Sequence, residues 1–177
     1  MTPDTDCEIR RRYAVARRGV ADGVPATMLH IGTEQTIVAS GSGSEPAAML
    51  VLAIGSHKTA NAYFQHQPPT PLEVENAIMA VEEEVMRART IITQGSMLLS
   101  TDAALREIAL MAGLPDQPEL NLTLDAMERI FERLTAVTLG RPSSQDSLPT
   151  SSAFAATLLI LREFMHHLRF SSITIRT

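Results

Sequence analysis

Few side chains in this sequence are placed to do chemistry. Glu8 opens an arginine-rich stretch that contains Arg10, Arg11, Arg12, Arg17 and Arg18. A carboxylate there can act on a proton, or it can sit in a first helical turn, where the helix dipole favours negative charge. His30 and Glu34 flank a short turn and could share a metal ion. Two ligands do not complete a site, and a histidine at a strand end more often makes one hydrogen bond, so no metal is expected. His166 and His167 are adjacent, so on a helix their side chains diverge by about 100° and chelate one ion poorly. His57 and His66 lack the i,i+4 spacing that favours a shared ion. These four histidines read as solvated groups or as caps near helix C-termini. The run Gly41-Ser42-Gly43-Ser44 looks superficially like a phosphate loop. A strand follows it and no lysine does, so a hairpin turn is expected. The arginine cluster could contact an anion or RNA. The blander reading, favoured by the overall charge, is a solvated helix or one paired with the acidic segment carrying Glu73 to Glu84.

Composition narrows the options. The chain has 177 residues, 45% of them hydrophobic and 20% charged. That suits one domain with a sizeable core. Aromatics make up 4% and tryptophan is absent, which argues against a base-stacking platform. The net charge of -5 argues against a phosphate-backbone binder, so nucleic acid is not an expected partner. The single cysteine, Cys7, excludes an internal disulfide framework and a cysteine-based zinc ribbon. The most apolar run, Ala153–Leu161, is far short of the roughly 20 residues a membrane span needs. No export signal is read, so a reducing, cytoplasmic location is expected.

The elements that must position these groups follow from spacing. A helix is expected over Glu8–Arg18, ended by Gly19 and the turn residues Asp22-Gly23-Val24-Pro25. Strands are expected at Thr27–Ile31, Thr36–Ser40 and Ala47–Ile54, the last as a strand buried on both faces. Thr70-Pro71-Leu72-Glu73 is a helix start with a capping box, followed by Val74, Ile78, Val81 and Val85 on one face. A strand at Ser96–Leu99 leads into a helix from Thr101 or Asp102 that stops near Gly113. Leu124, Met127, Phe131 and Leu134 mark another helix. A polar loop at Arg141–Pro149, a helix over Thr150–His167 and a strand at Ser172–Arg176 complete the chain. The expected architecture is α/β, a mixed five-stranded sheet flanked by helices.

This order, with several local phrases, resembles the second lobe of the exopolyphosphatase/guanosine-pentaphosphate phosphatase (Ppx/GppA) family. Cys7-Glu8-Ile9-Arg10 sits where the family has an acidic EEAR helix start. His30-Ile31-Gly32-Thr33-Glu34-Gln35-Thr36-Ile37-Val38 sits where the family's phosphate-binding hairpin reads DIGGGSTEL. Glu45-Pro46 and Leu52-Ala53-Ile54-Gly55 match an "EP…LPLG" strand. Pro68-Pro69-Thr70-Pro71-Leu72-Glu73 matches a "PPTPEEL" helix start, and Gly113-Leu114-Pro115-Asp116 a "GLPD" phrase. The resemblance implies a ribonuclease-H-like lobe of the actin-like ATPase superfamily. It treats residues 1–177 as one domain, with 1–25 as helix and linker and 26–177 as the core. It also implies Glu8 as catalytic base and Gly32, Thr33, Thr36, Ser100 and Thr101 as contacts to a phosphate-containing ligand.

The departures from the pattern point the other way. His30 replaces the family's aspartate, which helps hold the catalytic metal or water. Gly32-Thr33-Glu34-Gln35 replaces the glycine-rich turn whose amides approach phosphate. Ser100-Thr101-Asp102 replaces a second glycine-rich turn and gains a carboxylate. Only one glutamate of the EEAR pair remains, and the family's other lobe is not in this sequence. Phosphoryl transfer depends on positioning and charge neutralisation across a closed cleft. The reading that results is a degenerate, non-catalytic phosphatase-like module for ligand binding, regulation or assembly, with no required cofactor and with a homodimer or a partner lobe covering its open face. The competing reading is a Mg²⁺-dependent hydrolase of polyphosphate or guanosine pentaphosphate, its cleft completed by a second subunit. A third is an interaction protein that uses the Arg10–Arg18 helix.

Overall fold

The structure is a computed structural model that describes residues 3–142 and 147–177. Six strands form one sheet: β1 (Ala26–Ile31), β2 (Thr36–Gly41), β3 (Ala48–Leu52), β4 (Met97–Ser100), β5 (Glu119–Thr123) and β6 (Ser172–Arg176), in the order β3-β2-β1-β4-β6-β5. The central pairs β1–β4 and β4–β6 run parallel, while β1–β2, β2–β3 and β5–β6 run antiparallel. The sheet is therefore mixed, as expected, but has six strands rather than five. β5 is the addition. Only Leu120 and Leu122 of its five residues turn inward, so it alternates like a half-solvated edge strand. β3 is also an edge strand and is half-buried along most of its length, not covered on both faces.

One face of the sheet carries the main core. Leu29, Ile31, Val38, Leu52, Leu98, Leu120, Leu122, Ile173 and Ile175 point into it from the strands. Helices α2 (Ser56–Tyr63), α3 (Pro71–Met86), α4 (Ala103–Met111), α5 (Leu124–Thr138) and α6 (Ser152–His167) close it from above. α6 is the centre of this layer, packing on α2, α3, α4 and α5 and burying most of its own circumference. The opposite face is covered by α1 (Pro3–Ala16), whose Ile9, Tyr13 and Ala16 seal Ala26, Met28, Ile37, Ala39 and Leu99. α1 begins earlier than the spacing suggests. Beyond its end, Gly19 takes a φ of 79°, a left-handed conformation that glycine adopts without steric cost.

The helix starts are set locally. Thr70 Oγ1 accepts the Glu73 amide at 3.3 Å, and the Glu73 carboxylate accepts the Thr70 amide at 2.7 Å. The capping box is therefore complete. That bond from Thr70, with those from His66 and the Gln65 amide, pulls the Glu73 carboxyl down to about 2, because each donor favours the charged form. Thr123 and Ser151 cap α5 and α6 through their hydroxyls, satisfying amides that the helix itself cannot. Part of the expected 141–149 loop lies outside the described residues.

Candidate functional site

Strand register brings the site together. β1 and β4 are parallel with Met28 beside Leu99, so their C-terminal ends finish side by side and place His30 level with Thr101. The β1–β2 turn and the start of α4 meet there. They border an open groove of about 590 Å³, lined by His30, Gly32, Thr33, Glu34, Gln35, Ser56 and Ala104 among others.

The groove is held by an internal carboxylate. Asp102, 8% exposed, is the N-cap residue of α4, yet its side chain does not cap that helix. Instead Oδ2 accepts the Ile31 backbone N–H at 2.8 Å, and Oδ1 lies 2.6 Å from Nδ1 of His30. A carboxylate partner assigns the proton to Nδ1, so the ring donates to Asp102. Ser100 Oγ accepts the Asp102 amide at 3.2 Å. The hydrogen bond from a buried N–H to a charged acceptor is of the stronger kind, and the positive end of α4 adds to it.

Several other amides around the groove are also engaged. Gly32 N–H donates to the Gln35 carbonyl at 3.0 Å, closing the turn. The first amides of α2 point at the same turn: Ser56 donates to the Gly32 carbonyl, and His57 and Lys58 both donate to the Thr33 carbonyl, at 2.9 to 3.0 Å. Gly55 makes this approach possible. A Cβ there would stand 2.5 Å from the Thr33 carbonyl oxygen and 2.6 Å from the Gln35 nitrogen. A helix N-terminus that would otherwise face an anion is thus closed by the carbonyls of the protein's own turn.

Glu8 belongs to the same neighbourhood through Arg12. Its Oε1 lies 2.8 Å from Arg12 Nε, and its Oε2 takes Arg11 Nε at 2.8 Å. Arg12 in turn reaches to 3.5 Å from His30 Nδ1. The hydrogen bond from Arg11, aided by the charge of Arg12, holds the Glu8 carboxyl below its ordinary range. Favouring the charged form in this way weakens it as a base.

The residues expected to contact phosphate are therefore dispersed. Gly32 and Thr33 line the groove, with the Gly32 amide and both carbonyls bonded internally. Thr36 is fully buried and lies on the opposite side of the sheet from His30, among the side chains facing the main core. Its hydroxyl has no hydrogen-bond partner among the described residues. Ser100 is buried beneath Asp102, and Thr101 is half-buried. His30 turns to Asp102 rather than to Glu34, which is exposed on the turn. His30 and Asp102 lie 72 residues apart, and only the fold brings them together. Their pairing is not evident along the chain; the available signal is a polar group at the C-terminal end of each of two strands that prove to be parallel neighbours.

Among the described residues the arginine cluster does not pair with α3, contrary to one expectation from the sequence. Arg10 binds Asp6 and Glu45, and Arg11 and Arg12 bind Glu8. The Arg17 guanidinium is buried and donates to the carbonyls of Val24, Ala21 and Ser42 at 2.6 to 3.0 Å.

A His–Asp pair can serve as an oriented base when a nucleophile bonds to the other ring nitrogen. Among the described residues no hydroxyl or thiol bonds to the His30 ring.

No helix among the described residues is long and apolar enough to cross a membrane. No protein-family model matches the sequence, and no curated protein does. Solved structures do match the fold. A type II crystal structure of the Aquifex aeolicus Ppx/GppA phosphatase aligns with a TM-score of 0.80 at 18% identity, covering 99% of this chain and 60% of that one. An exopolyphosphatase from Cytophaga hutchinsonii aligns at 0.71 and 14% identity, covering 98% and 59%. An exopolyphosphatase-like protein aligns at 0.73 and 11% identity, covering 99% and 62%. The chain thus shares the fold of these Ppx/GppA structures and spans about 60% of their length.

Proposed function

We propose that this chain is a phosphatase-like lobe without hydrolytic activity, acting as a ligand-binding, regulatory or assembly module. The observation that carries the reading is the Asp102 carboxylate. It occupies the Ile31 amide and the His30 ring at the mouth of the groove, where the family resemblance expects a phosphate. A second carboxylate, Glu34, lines the same groove, and like charge repels a phosphate. Glu8, the expected base, is bound by two arginines. Positioned donors aimed at developing charge supply most of phosphoryl-transfer catalysis. Here the Ile31, Gly32, Ser56, His57 and Lys58 amides already have internal acceptors.

In this reading the lobe works against a second surface, either a second copy of the chain or a partner lobe, and requires no cofactor. The test is direct. Purified protein is incubated with Mg²⁺ and polyphosphate, guanosine pentaphosphate or ATP, and released phosphate is measured. No release above background is expected. Robust release that Glu8→Gln abolishes would overturn the reading in favour of a Mg²⁺-dependent hydrolase. Sedimentation in solution tests the assembly component, with a dimer expected and a strict monomer counting against it.

A further inference from the structure

We propose that Glu82, Glu163 and His167 form a divalent transition-metal site that clamps α3 to α6. The site is far in sequence from the groove and involves none of its residues. One oxygen or nitrogen from each of the three side chains can be chosen so that all lie within 4.8 Å of one another. Glu163 and His167 are four residues apart on α6, so they project from the same face. Glu82 meets them from α3.

Glu163 is the anchor. Its side chain is 1% exposed, and a carboxylate so buried requires compensation. Arg162 Nη1 binds Oε1 at 2.6 Å, leaving Oε2 to face His167 Nε2 at 3.0 Å. Arg162 does not neutralise Glu163 alone, because its Nε also binds Glu128 at 3.0 Å. Three carboxylates (Glu82, Glu128 and Glu163) against one guanidinium leave two negative charges. A divalent ion cancels both.

The ring's two nitrogens face different carboxylates: Nε2 lies 3.0 Å from Glu163 Oε2, and Nδ1 lies 3.6 Å from Glu82 Oε1, beyond hydrogen-bond length. One ion takes only one of these nitrogens, and Nε2 with Glu163 Oε2 is the pair already at a separation that bonds of about 2.0–2.2 Å can span, with Glu82 moving in as the third donor. Glu82 is half-exposed and has room to close the remaining gap. An imidazole with two carboxylates selects zinc-like ions over magnesium. The surroundings hold the anchor in place. Arg162 is stacked 4.6 Å over the Phe131 ring, and it orients Glu163 as outer partners orient metal-ligating carboxylates. A neighbouring groove lined by Arg89, Ile92 and Gln94 reaches His167 and gives an entry path. His166 turns away towards Glu128 and is no ligand.

The experiment uses tag-free, chelator-stripped protein carrying Cys7→Ser, which removes the one competing thiol. Zn²⁺ is titrated by calorimetry, and Co²⁺ by its visible absorption. One equivalent is expected to bind, with a Co²⁺ spectrum of an imidazole–carboxylate site and a rise in Tm on metal addition. Affinity should fall at least tenfold in Glu82→Gln and in His167→Ala and stay unchanged in His166→Ala. Glu82 is half-exposed, so its variant tests the site even if changes at Glu163 impair folding. Failure of the parent to bind one equivalent, or binding by both variants as tight as by the parent, overturns the proposal.

Discussion

Replacing Asp102 by alanine tests the internal carboxylate most sharply. Two interactions vanish. The buried Ile31 N–H loses its acceptor, and leaving a buried donor unsatisfied costs about 1–3 kcal/mol. The His30 ring, about one-fifth exposed, loses a charge-assisted bond that is partly replaced by solvent, worth roughly 1 kcal/mol. The sum is about 3 kcal/mol, or roughly 6–12 °C in Tm for a domain of this size. Urea denaturation gives the measurement, with an unchanged slope showing that stability alone has moved. Asp102→Asn keeps an acceptor for Ile31 and should cost about one-third as much. A double-mutant cycle with His30→Ala should return a coupling of about 1 kcal/mol. If Asp102 stands in for an anion, inorganic phosphate should raise the Tm of Asp102→Ala more than that of the parent protein. A loss below about 1 kcal/mol, or an identical response to phosphate, would refute the reasoning.

Other outcomes follow from the same contacts. Gly55→Ala brings a methyl against three backbone atoms of the β1–β2 turn. Overpacking of that kind should destabilise by about 2 kcal/mol or more, measured by chemical denaturation. Thr70→Ala removes the α3 cap and should cost about 1 kcal/mol, read from the urea midpoint. Arg162→Leu leaves the Glu163 carboxylate buried without its guanidinium and should cost roughly 3 kcal/mol, seen as a lower Tm. The Glu73 carboxyl is held at about 2 in the fold against 4.5 when free. A carboxyl lowered by folding stabilises above its unfolded value, so this contribution is present above pH 4.5 and lost as pH falls towards 2. Stability curves of the parent and Glu73→Gln should converge across that window.

Much of the fold can be read along the chain because the informative signals are local. The capping box at Thr70 and Glu73, the stripe from Met127 to Leu134 and the β-branched end at Ser172–Arg176 each depend only on near neighbours. β5 escapes because two inward leucines among glutamate, asparagine and threonine make too short an alternation to register. α2 carries little signal because its sequence, SHKTANAY, has almost no apolar stripe; Thr59 and Ala60 are what it buries. The candidate site is legible as a place but not as an arrangement. His30 and Asp102 stand 72 residues apart, and only the parallel register of β1 with β4 sets them side by side. Thr36 falls within a familiar phrase, but its register on β2 and the two-residue period of a strand point it away from the His30 side of the sheet. The cluster of Glu82, Glu163 and His167 likewise needs two helices to pack before its spacing has meaning.

The sheet has unequal covers, and this bears on how its amides exchange with solvent. Five helices share one face, whereas among the described elements α1 alone seals the apolar patch on the other. α1 is held there by Ile9, Tyr13 and Ala16, and at its end by Arg176, which donates to the carbonyls of Ala16 and Arg18. A helix with so small a share of the buried surface can lift away in a sub-global opening while the α6 layer stays closed. Its amides then report a lower opening free energy than those of α6. The same excursion removes Arg12 from beside His30. The α1 side of the His30 ring is thus uncovered whenever the helix lifts, and anything that holds this helix down leaves the groove as the one approach to the pair among the described residues.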